Sequence, residues 1–158
     1  MITPKRKPRP AIDAAALEAQ ARLEAEDAVD YEALAQFRFE LRKFQAFSTG
    51  AAVQAGLTPQ QHQALLTIRG FSTLGPLSVG ELADFLFIQH HTAVGLVDRM
   101  AKLELIGRSI DETDGRRVLL NLTAEGERRL RKLSKIHQDE LAAIGPALAK
   151  IVETFRRP

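Results

Sequence analysis

Two adjacent arginines, Arg116 and Arg117, follow the dipeptide Asp114-Gly115 between two short runs of extended-type sequence. Asp-Gly is a typical turn dipeptide of a β-hairpin, so both guanidinium groups are expected at a hairpin tip. Arginine suits the narrow, electronegative minor groove of DNA. The pattern therefore indicates recognition of a polyanion, although Asp114 and Arg116 would also serve simply to close a surface turn.

The charges of the chain are unevenly distributed around a formal net charge of +2. The first ten residues hold four basic residues and no acid, and residues 11–40 are mainly acidic. The sequence becomes basic again from Arg99 to Lys135. For binding a polyanionic partner, the sign of the charge in each part of the chain matters more than the net charge. The basic run from Arg128 to Lys132 is also compatible with a solvated helix surface.

Length and composition exclude several classes of protein. The 158 residues, 45% of them apolar, suffice for one compact domain. The chain has no cysteine, which excludes disulfides, thiolate metal ligands and cysteine nucleophiles. No apolar run approaches the ~18 residues of a membrane span, and the basic start does not resemble a secretory signal, so a cytoplasmic protein without membrane contact is expected. No hydrolase pattern and no phosphate-cradling glycine loop is present, so neither an enzyme nor a cofactor is predicted.

The apolar spacing predicts two helices ahead of the centre of the chain. Residues 13–28 are rich in Ala and Glu and favour a helix. A second helix is expected over residues 30–55, ending at Gly56, because apolar residues recur there at spacings of three and four. That stripe consists of Leu34, Phe37, Leu41 and Phe44.

The centre of the chain predicts short helices joined by tight turns and followed by a β-hairpin. Capping boxes at Thr58 and Ser78 predict the starts of two helices. A third helix follows a turn, and two extended runs then flank the Asp-Gly dipeptide. The predicted bounds are 58–70, 78–86 and 90–104 for the helices, and 108–111 and 117–122 for the strands. This order is that of a winged helix-turn-helix, whose second helix can lie in the major groove.

The last part of the chain predicts a long helix that Thr123 caps. Gly145-Pro146 is expected to break or kink this helix before a last short apolar stripe between Leu148 and Phe155. Three apolar stripes then lie outside the small winged core. One chain of this size cannot cover all three, so a homodimer is expected.

Four segments of the chain carry a specific pattern. They are Leu57–Gln61, Leu77–Ala83, Thr92–Met100 and the wing from Asp114 to Gly126. In this order they resemble the MarR family of bacterial transcriptional regulators. The resemblance implies a mostly α-helical fold with a small β-hairpin wing, in which N- and C-terminal dimerisation helices flank a winged helix-turn-helix core.

The resemblance divides the chain into four parts and implies their roles. The parts are a flexible basic arm (1–12), N-terminal dimerisation helices (13–56), the DNA-binding core (57–123) and C-terminal dimerisation helices (124–158). The arm would either wrap into a minor groove or make no contact. The expected function is regulation of transcription by sequence-specific binding of double-stranded DNA. A homodimer would bind a pseudo-palindromic operator with its recognition helices about one DNA turn apart.

The resemblance places the DNA-contacting side chains at the start of the recognition helix and in the wing. The expected set is His90, His91, Thr92, Val94, Gly95, Arg99, Lys102, Arg108, Arg116 and Arg117. Gly95 departs from the family, which commonly has a long polar residue there, so base reading would fall more on the two histidines. The alternative is that both histidines are simply exposed to solvent at the start of this helix. Arg99 would bind phosphate or brace the wing through Asp114, and Glu104 stands where the family usually has glycine.

The resemblance also implies a small-molecule effector. Many family members release DNA when a small, often aromatic or anionic ligand binds between the dimer helices and the winged core. A repressor released by such a ligand is therefore expected. The expected lining residues are Phe37, Arg38, Phe44, His62 and Phe71, each of which would otherwise be ordinary core or surface.

Two other functions remain open at this point. One is a metal-sensing regulator that uses some of the four histidines, which are His62, His90, His91 and His137. Adjacent His90 and His91 cannot share one helix face as an i, i+4 pair would, so no metal site is predicted. The other is a winged helix that contacts a protein instead of DNA, against which the basic wing argues.

Overall fold

The computed structural model describes Glu18 and residues 29–155, in which helices predominate over one small sheet. In chain order the elements are α1 (Tyr31–Gln54), α2 (Pro59–Gly70), a 3-10 helix (Ser72–Leu74), β1 (Leu77–Ser78), α3 (Val79–Phe85), α4 (His90–Lys102), β2 (Ile106–Ile110), β3 (Val118–Leu122) and α5 (Ala124–Thr154). The winged helix-turn-helix order expected from the sequence is confirmed. The predicted basic arm and the helix over 13–28 lie outside the described residues.

Two capping boxes fix where α2 and α3 begin. Thr58 Oγ1 accepts from the N–H of Gln61, and Gln61 Oε1 accepts from the N–H of Thr58. Ser78 and Glu81 make the same reciprocal pair before α3. Each box satisfies N–H groups that the first turn of a helix leaves unpaired. These local signals explain why both predicted helix starts agree with the structure to within one residue.

The three strands form an antiparallel sheet with β3 in the centre, in the order β1-β3-β2. Leu77 pairs with Leu120, and Ile106 pairs with Leu122. The first strand of the hairpin begins two residues before its predicted start, because Ile106 belongs to the buried core. We call the hairpin of β2 and β3 with its turn the wing, and residues 57–123 the winged core.

The hydrophobic core lies between α2, α3, α4, the sheet and the first half of α5. Its largest fully buried apolar side chains are Leu65, Leu82, Leu96, Val97, Met100, Leu105, Leu120 and Leu133. α4 contributes an inner face at a spacing of three and four residues, which is the pattern of an amphipathic helix. Its opposite face is therefore free to meet a partner.

Of the break or kink expected at Gly145-Pro146, the break is wrong. α5 continues through Pro146 to Thr154. Proline removes one backbone N–H from the helix ladder, but packing on both sides can hold the helix together. Ile144 and Ile151, before and after Pro146, are both buried, and α1 packs along α5.

α1 and α5 together form what we call the two-helix layer. Tyr31, Leu34 and Leu41 share one face of α1 and are exposed, and Ile136 and Leu141 are exposed on α5. Within residues 29–155 and at Glu18, no helix is both long and apolar enough to cross a membrane. The layer thus presents apolar side chains at a surface where a single chain leaves them uncovered.

Candidate nucleic-acid interface

A cleft of about 320 Å³ lies between α4 and the wing. Its floor is apolar, since Val79 and Val97 are buried there. Half of the predicted DNA-contacting residues line it, namely His90, Val94, Arg108, Arg116 and Arg117. The fold therefore brings the start of α4 and the arginines of the wing to one surface, as the sequence predicted.

The other predicted residues lie on α4 outside this cleft. They are His91, Thr92, Gly95, Arg99 and Lys102. The Arg99 guanidinium lies over Gly95, because a Cβ atom built on that glycine would be 3.4 Å from Arg99 Nη1. Gly95 thus leaves space beside Arg99 on the outer face of the helix. A side chain at this position would have to share that space.

Arg116 is the arginine at the wing tip whose charge stays available. Its N–H donates to Asp114 Oδ1 at 3.1 Å, and the N–H of Arg117 donates to the Asp114 carbonyl at 2.9 Å. Among the described residues, neither Arg116 nor Arg99 has a carboxylate within ion-pair distance. The structure therefore does not show the contact between Arg99 and Asp114 that would brace the wing.

Carboxylates hold the other two arginines of the cleft. Arg117 lies 3.0 Å from Glu81 Oε2 on α3 and 3.5 Å from Asp111 Oδ2 at the end of β2. Arg108 Nη1 lies 2.7 Å from Asp98 Oδ1 on α4. These pairs attach the wing to both helices of the helix-turn-helix. Sequence reasoning missed Glu81 and Asp98 in this role, because their partners are remote in the chain.

The two acids around Arg117 are stabilised in their ionised form. The pKa of Glu81 is lowered, first by hydrogen bonds from the hydroxyl and N–H of Ser78 and then by the charge of Arg117. Hydrogen bonds from the hydroxyl and N–H of Thr113 lower the pKa of Asp111. Both carboxylates therefore remain charged at neutral pH, and the attachment of the wing persists.

Two residues take left-handed backbone conformations at the ends of helices in the core. Glu104, the second residue after α4, has φ +55°, and Phe87 has φ +53° in the turn before α4. Glu104 donates its N–H to the Ala101 carbonyl, and the N–H of Leu105 reaches the Met100 carbonyl. This is the usual helix ending with glutamate in the position that favours glycine. Glutamate in place of the usual glycine at position 104 thus adds backbone strain, but the chain leaves α4 along the same path.

The structure brings together only part of the predicted ligand-lining set. The ring of His62 on α2 lies 4.6 Å from that of His137 on α5, and Phe44 of α1 meets His137 at 5.8 Å. Phe37 is half-buried on α1, whereas Arg38 is exposed. Phe71 stacks on Phe85 at the other end of α2, roughly 13 Å from His62 along the helix.

The histidines do not assemble a metal site. In the part of the chain that the structure describes, no three His, Cys, Asp or Glu side chains lie together as metal ligands. His62 and His137 form a pair without a third ligand, and structural and catalytic zinc sites use at least three protein ligands.

Comparison with known proteins agrees with this geometry. The model of the MarR family matches residues 55–117, which run from the end of α1 to the wing. The HTH-type transcriptional regulator YsmB of Bacillus subtilis is 34% identical over 88 residues, covering 56% of this chain and 58% of YsmB. A probable transcriptional regulator from Pseudomonas aeruginosa is 30% identical over 75% of this chain and 89% of its own, with a TM-score of 0.54. The chain belongs to the MarR family.

The MarR fold extends beyond the matched segment. The crystal structure of MepR, a transcription regulator of the Staphylococcus aureus multidrug efflux pump MepA, covers 80% of this chain and 99% of its own. Its TM-score is 0.65 at 19% identity, which shows a shared fold. The match to YsmB spans less than two thirds of that relative's length. These relatives are transcription regulators and not enzymes.

Proposed function

We propose that this chain regulates transcription by binding a specific sequence of double-stranded DNA. The observation that carries the proposal is the cleft between α4 and the wing, which exposed His90 and Val94 line together with Arg116. A major groove admits one α-helix, and a hairpin beside it can reach the adjacent minor groove or backbone. MepR, which shares this fold, has been crystallised in mutant form with an oligodeoxyribonucleotide.

The side chains of the interface divide by the contact each can make. His90 and His91 can exchange hydrogen bonds with base edges, and Val94 can contact a thymine methyl group. Thr92, Arg99 and Lys102 suit phosphate oxygens, which position a protein without reading sequence. For the wing, we assign minor-groove contact to Arg116. Arg108 and Arg117 add positive charge but act chiefly by holding the wing in place.

A second copy of this chain completes the two-helix layer in our proposal. Exposed Tyr31, Leu34 and Leu41 on α1 form an apolar band whose burial would stabilise a dimer. Two-fold symmetry then sets two copies of α4 to read the half-sites of a pseudo-palindromic operator. The winged core thus serves DNA recognition, and the flanking helices serve dimerisation.

We extend the proposal to repression that a small ligand relieves. The support is family membership together with the meeting of Phe44, His62 and His137 where the two-helix layer joins the winged core. A ligand there would act only by binding one arrangement of the two parts better than the other. Phe37 would extend such a site along α1, and Phe71 would not take part.

Fluorescence anisotropy with labelled DNA tests the proposed function. The full chain is titrated against DNA from its own promoter region and against a scrambled duplex of the same length, at two salt concentrations. We expect preferential binding to the promoter DNA, two protomers per site, and affinity that falls steeply with salt. Equal affinity for both duplexes would contradict sequence-specific recognition.

A further inference from the structure

The strongest feature outside the DNA-facing surface is a pair of buried histidines. His62 is 2% exposed and His137 is 8% exposed. Their ring centroids lie 4.6 Å apart with an angle of 37° between the planes. Histidine is the side chain whose ordinary pKa lies closest to physiological pH, so a buried pair of this kind is a candidate for proton sensing.

The hydrogen bonds around His137 define the state in which the pair is packed. His137 Nδ1 lies 2.7 Å from the carbonyl of Leu133, which can only accept, so Nδ1 carries a proton. In the neutral ring Nε2 is then an acceptor, and the hydroxyl of Ser48 donates to it at 2.7 Å. Because a hydroxyl can also accept, Ser48 can remain bonded to His137 when that ring is protonated.

His62 has no comparable means of accepting a charge. Its Nδ1 is buried and has no hydrogen-bond partner in the described part of the chain. Protonation would place an N–H without an acceptor and a positive charge inside the protein, beside the ring of His137. Burial, followed by the charge of His137, lowers the pKa of His62 from 6.5 to about 4.

Among the residues that the structure describes, none supplies a negative charge that would compensate a protonated His62. α5 contributes His137, which is the titratable group that faces it. α1 contributes Ser48 through His137, together with the uncharged rings of Phe44 and Phe47, which meet His137 edge to face. On α2 itself the adjacent buried side chain is Gln61, whose amide closes the capping box with Thr58. Among these groups no carboxylate stabilises a charged His62.

The position of the pair connects the two parts of the molecule. His62 lies near the start of α2, the first helix of the winged core, whereas His137 and Ser48 belong to α5 and α1 of the two-helix layer. A change at this pair therefore acts on the junction that sets the orientation of the winged core relative to the layer. In a dimer that orientation determines the spacing of the two copies of α4.

We propose that the His62–His137 pair makes this junction sensitive to protons, so that the neutral pair holds α2 against α1 and α5 and protonation of His62 loosens it and weakens DNA binding. The consequence for DNA rests on the proposed function, whereas the consequence for the junction does not. The neutral ring fits the closed junction and the charged ring fits the open one. Closure is therefore complete above the ordinary histidine pKa of 6.5 and is lost as the pH falls from 6.5 towards 4.

Hydrogen–deuterium exchange of the full chain tests the junction without DNA. Exchange of the α2 amides is compared at about pH 7.5 and about pH 5.5, after correction for the intrinsic rates, by mass spectrometry. Linkage between a pKa of 6.5 in the open state and about 4 in the closed state predicts that the opening equilibrium rises roughly tenfold over this interval. In His62→Phe, which keeps an aromatic ring and cannot be protonated, the rise should disappear. The same pH response in His62→Phe and in the wild type would overturn the proposal.

DNA affinity at the same two pH values tests the regulatory consequence. The affinity of the wild type relative to His62→Phe should fall at low pH, by up to about tenfold, and His90 and His91 cancel from this ratio because both proteins contain them. His62→Leu is the second variant if phenylalanine overfills the site, and circular dichroism checks both folds. If the ratio of the two DNA affinities were the same at both pH values while hydrogen exchange of α2 responded as expected, control of DNA binding by the junction would be overturned. Absence of specific DNA binding at about pH 7.5 would instead refute the proposed function. The hydrogen-exchange experiment would still test whether the junction responds to protons.

Discussion

The winged core has a fully buried apolar interior in one chain, whereas α1 of the two-helix layer carries a band of exposed apolar side chains on one face. In the core, Leu65, Leu82 and Leu96 are essentially inaccessible to solvent. In the layer, Tyr31 is 76% exposed and Leu34 is 43% exposed on the same face of α1. One chain therefore completes the interior of the core, whereas the apolar band on α1 is surface that a partner would bury in the proposed dimer. Folding and assembly should respond to different substitutions.

The largest effect is expected where α5 meets the core, at Gly126. A methyl group at this glycine would overlap the backbone carbonyl of Leu105 and press on Leu65. Gly126→Ala should lower the free energy of unfolding by about 3 kcal/mol, since a backbone carbonyl cannot move aside as a flexible side chain can. Urea unfolding measures this change.

Gly50 in the two-helix layer is the matched control for this substitution. It lies within α1, and a methyl group there would meet nothing within 4 Å. Gly50→Ala should raise the free energy of unfolding by about 0.5–1 kcal/mol, because glycine weakens a helix interior. A loss of stability at Gly50 equal to that at Gly126 would remove the distinction between the close contact of α5 with the core and the open surface of α1.

The next effect concerns assembly. Leu34→Glu should weaken the proposed dimer by about 2–3 kcal/mol, or roughly a hundredfold in its dissociation constant, because two-fold symmetry places the charge in the interface twice. Sedimentation over a range of concentrations measures the shift. The unfolding free energy extrapolated to low protein concentration should change little, since Leu34 is already exposed in one chain.

Leu66 provides the control for Leu34. It is 44% exposed, as Leu34 is, but it lies on α2 in the winged core. Leu66→Glu should leave the association unchanged. If both substitutions weakened association equally, or if neither weakened it, the assignment of the dimer interface to α1 would be refuted.

A smaller effect is expected at the wing. Arg116→Ala should weaken binding to specific and scrambled DNA alike by about 1–2 kcal/mol and lower the salt dependence by about one phosphate contact per protomer. Anisotropy titrations at several salt concentrations measure both quantities. Arg128→Ala on α5 removes an exposed arginine that is already bonded to Glu125 and should change neither. Identical behaviour of the two variants would refute the minor-groove role of Arg116.

The smallest effect is expected at the end of α4. Glu104→Gly should raise the free energy of unfolding by about 0.5–1 kcal/mol, because glycine adopts the left-handed conformation of this residue without strain. Gly56, between α1 and α2, has φ +71°, so Gly56→Ala should have the opposite sign. Thermal unfolding of both variants measures the difference. Destabilisation by Glu104→Gly would mean that the glutamate side chain contributes more than its backbone conformation costs.

Features encoded locally were predictable from the sequence. The side chains of Thr58 and Ser78 determine where α2 and α3 begin, and each acts on a residue only three positions away. The turn at Asp114-Gly115 positions the wing for the same reason. This order of elements places the start of α4 beside the wing, so that five of the ten predicted residues line one cleft. Their contact with DNA stays a prediction.

Features that depend on distant contacts were not predictable. The helical pattern around Pro146 does not reveal that burial of Ile144 and Ile151 keeps α5 continuous. In the sequence Arg117 is one more basic residue of the wing. Only the fold brings it into contact with Glu81, which is 36 positions away. The pairing of His62 with His137 likewise has no local signal, since each histidine alone fits an ordinary apolar stripe.

The exposed tyrosine at the start of α1 gives the protein a built-in optical label. Tyr31 is the single tyrosine of the chain, which has no tryptophan. Ultraviolet emission of the unmodified protein therefore originates in the two-helix layer, and the winged core contributes almost nothing to it. Dissociation of the proposed dimer on dilution can consequently be followed without attached dyes, because Tyr31 is 76% exposed in the single chain and would change its surroundings on association.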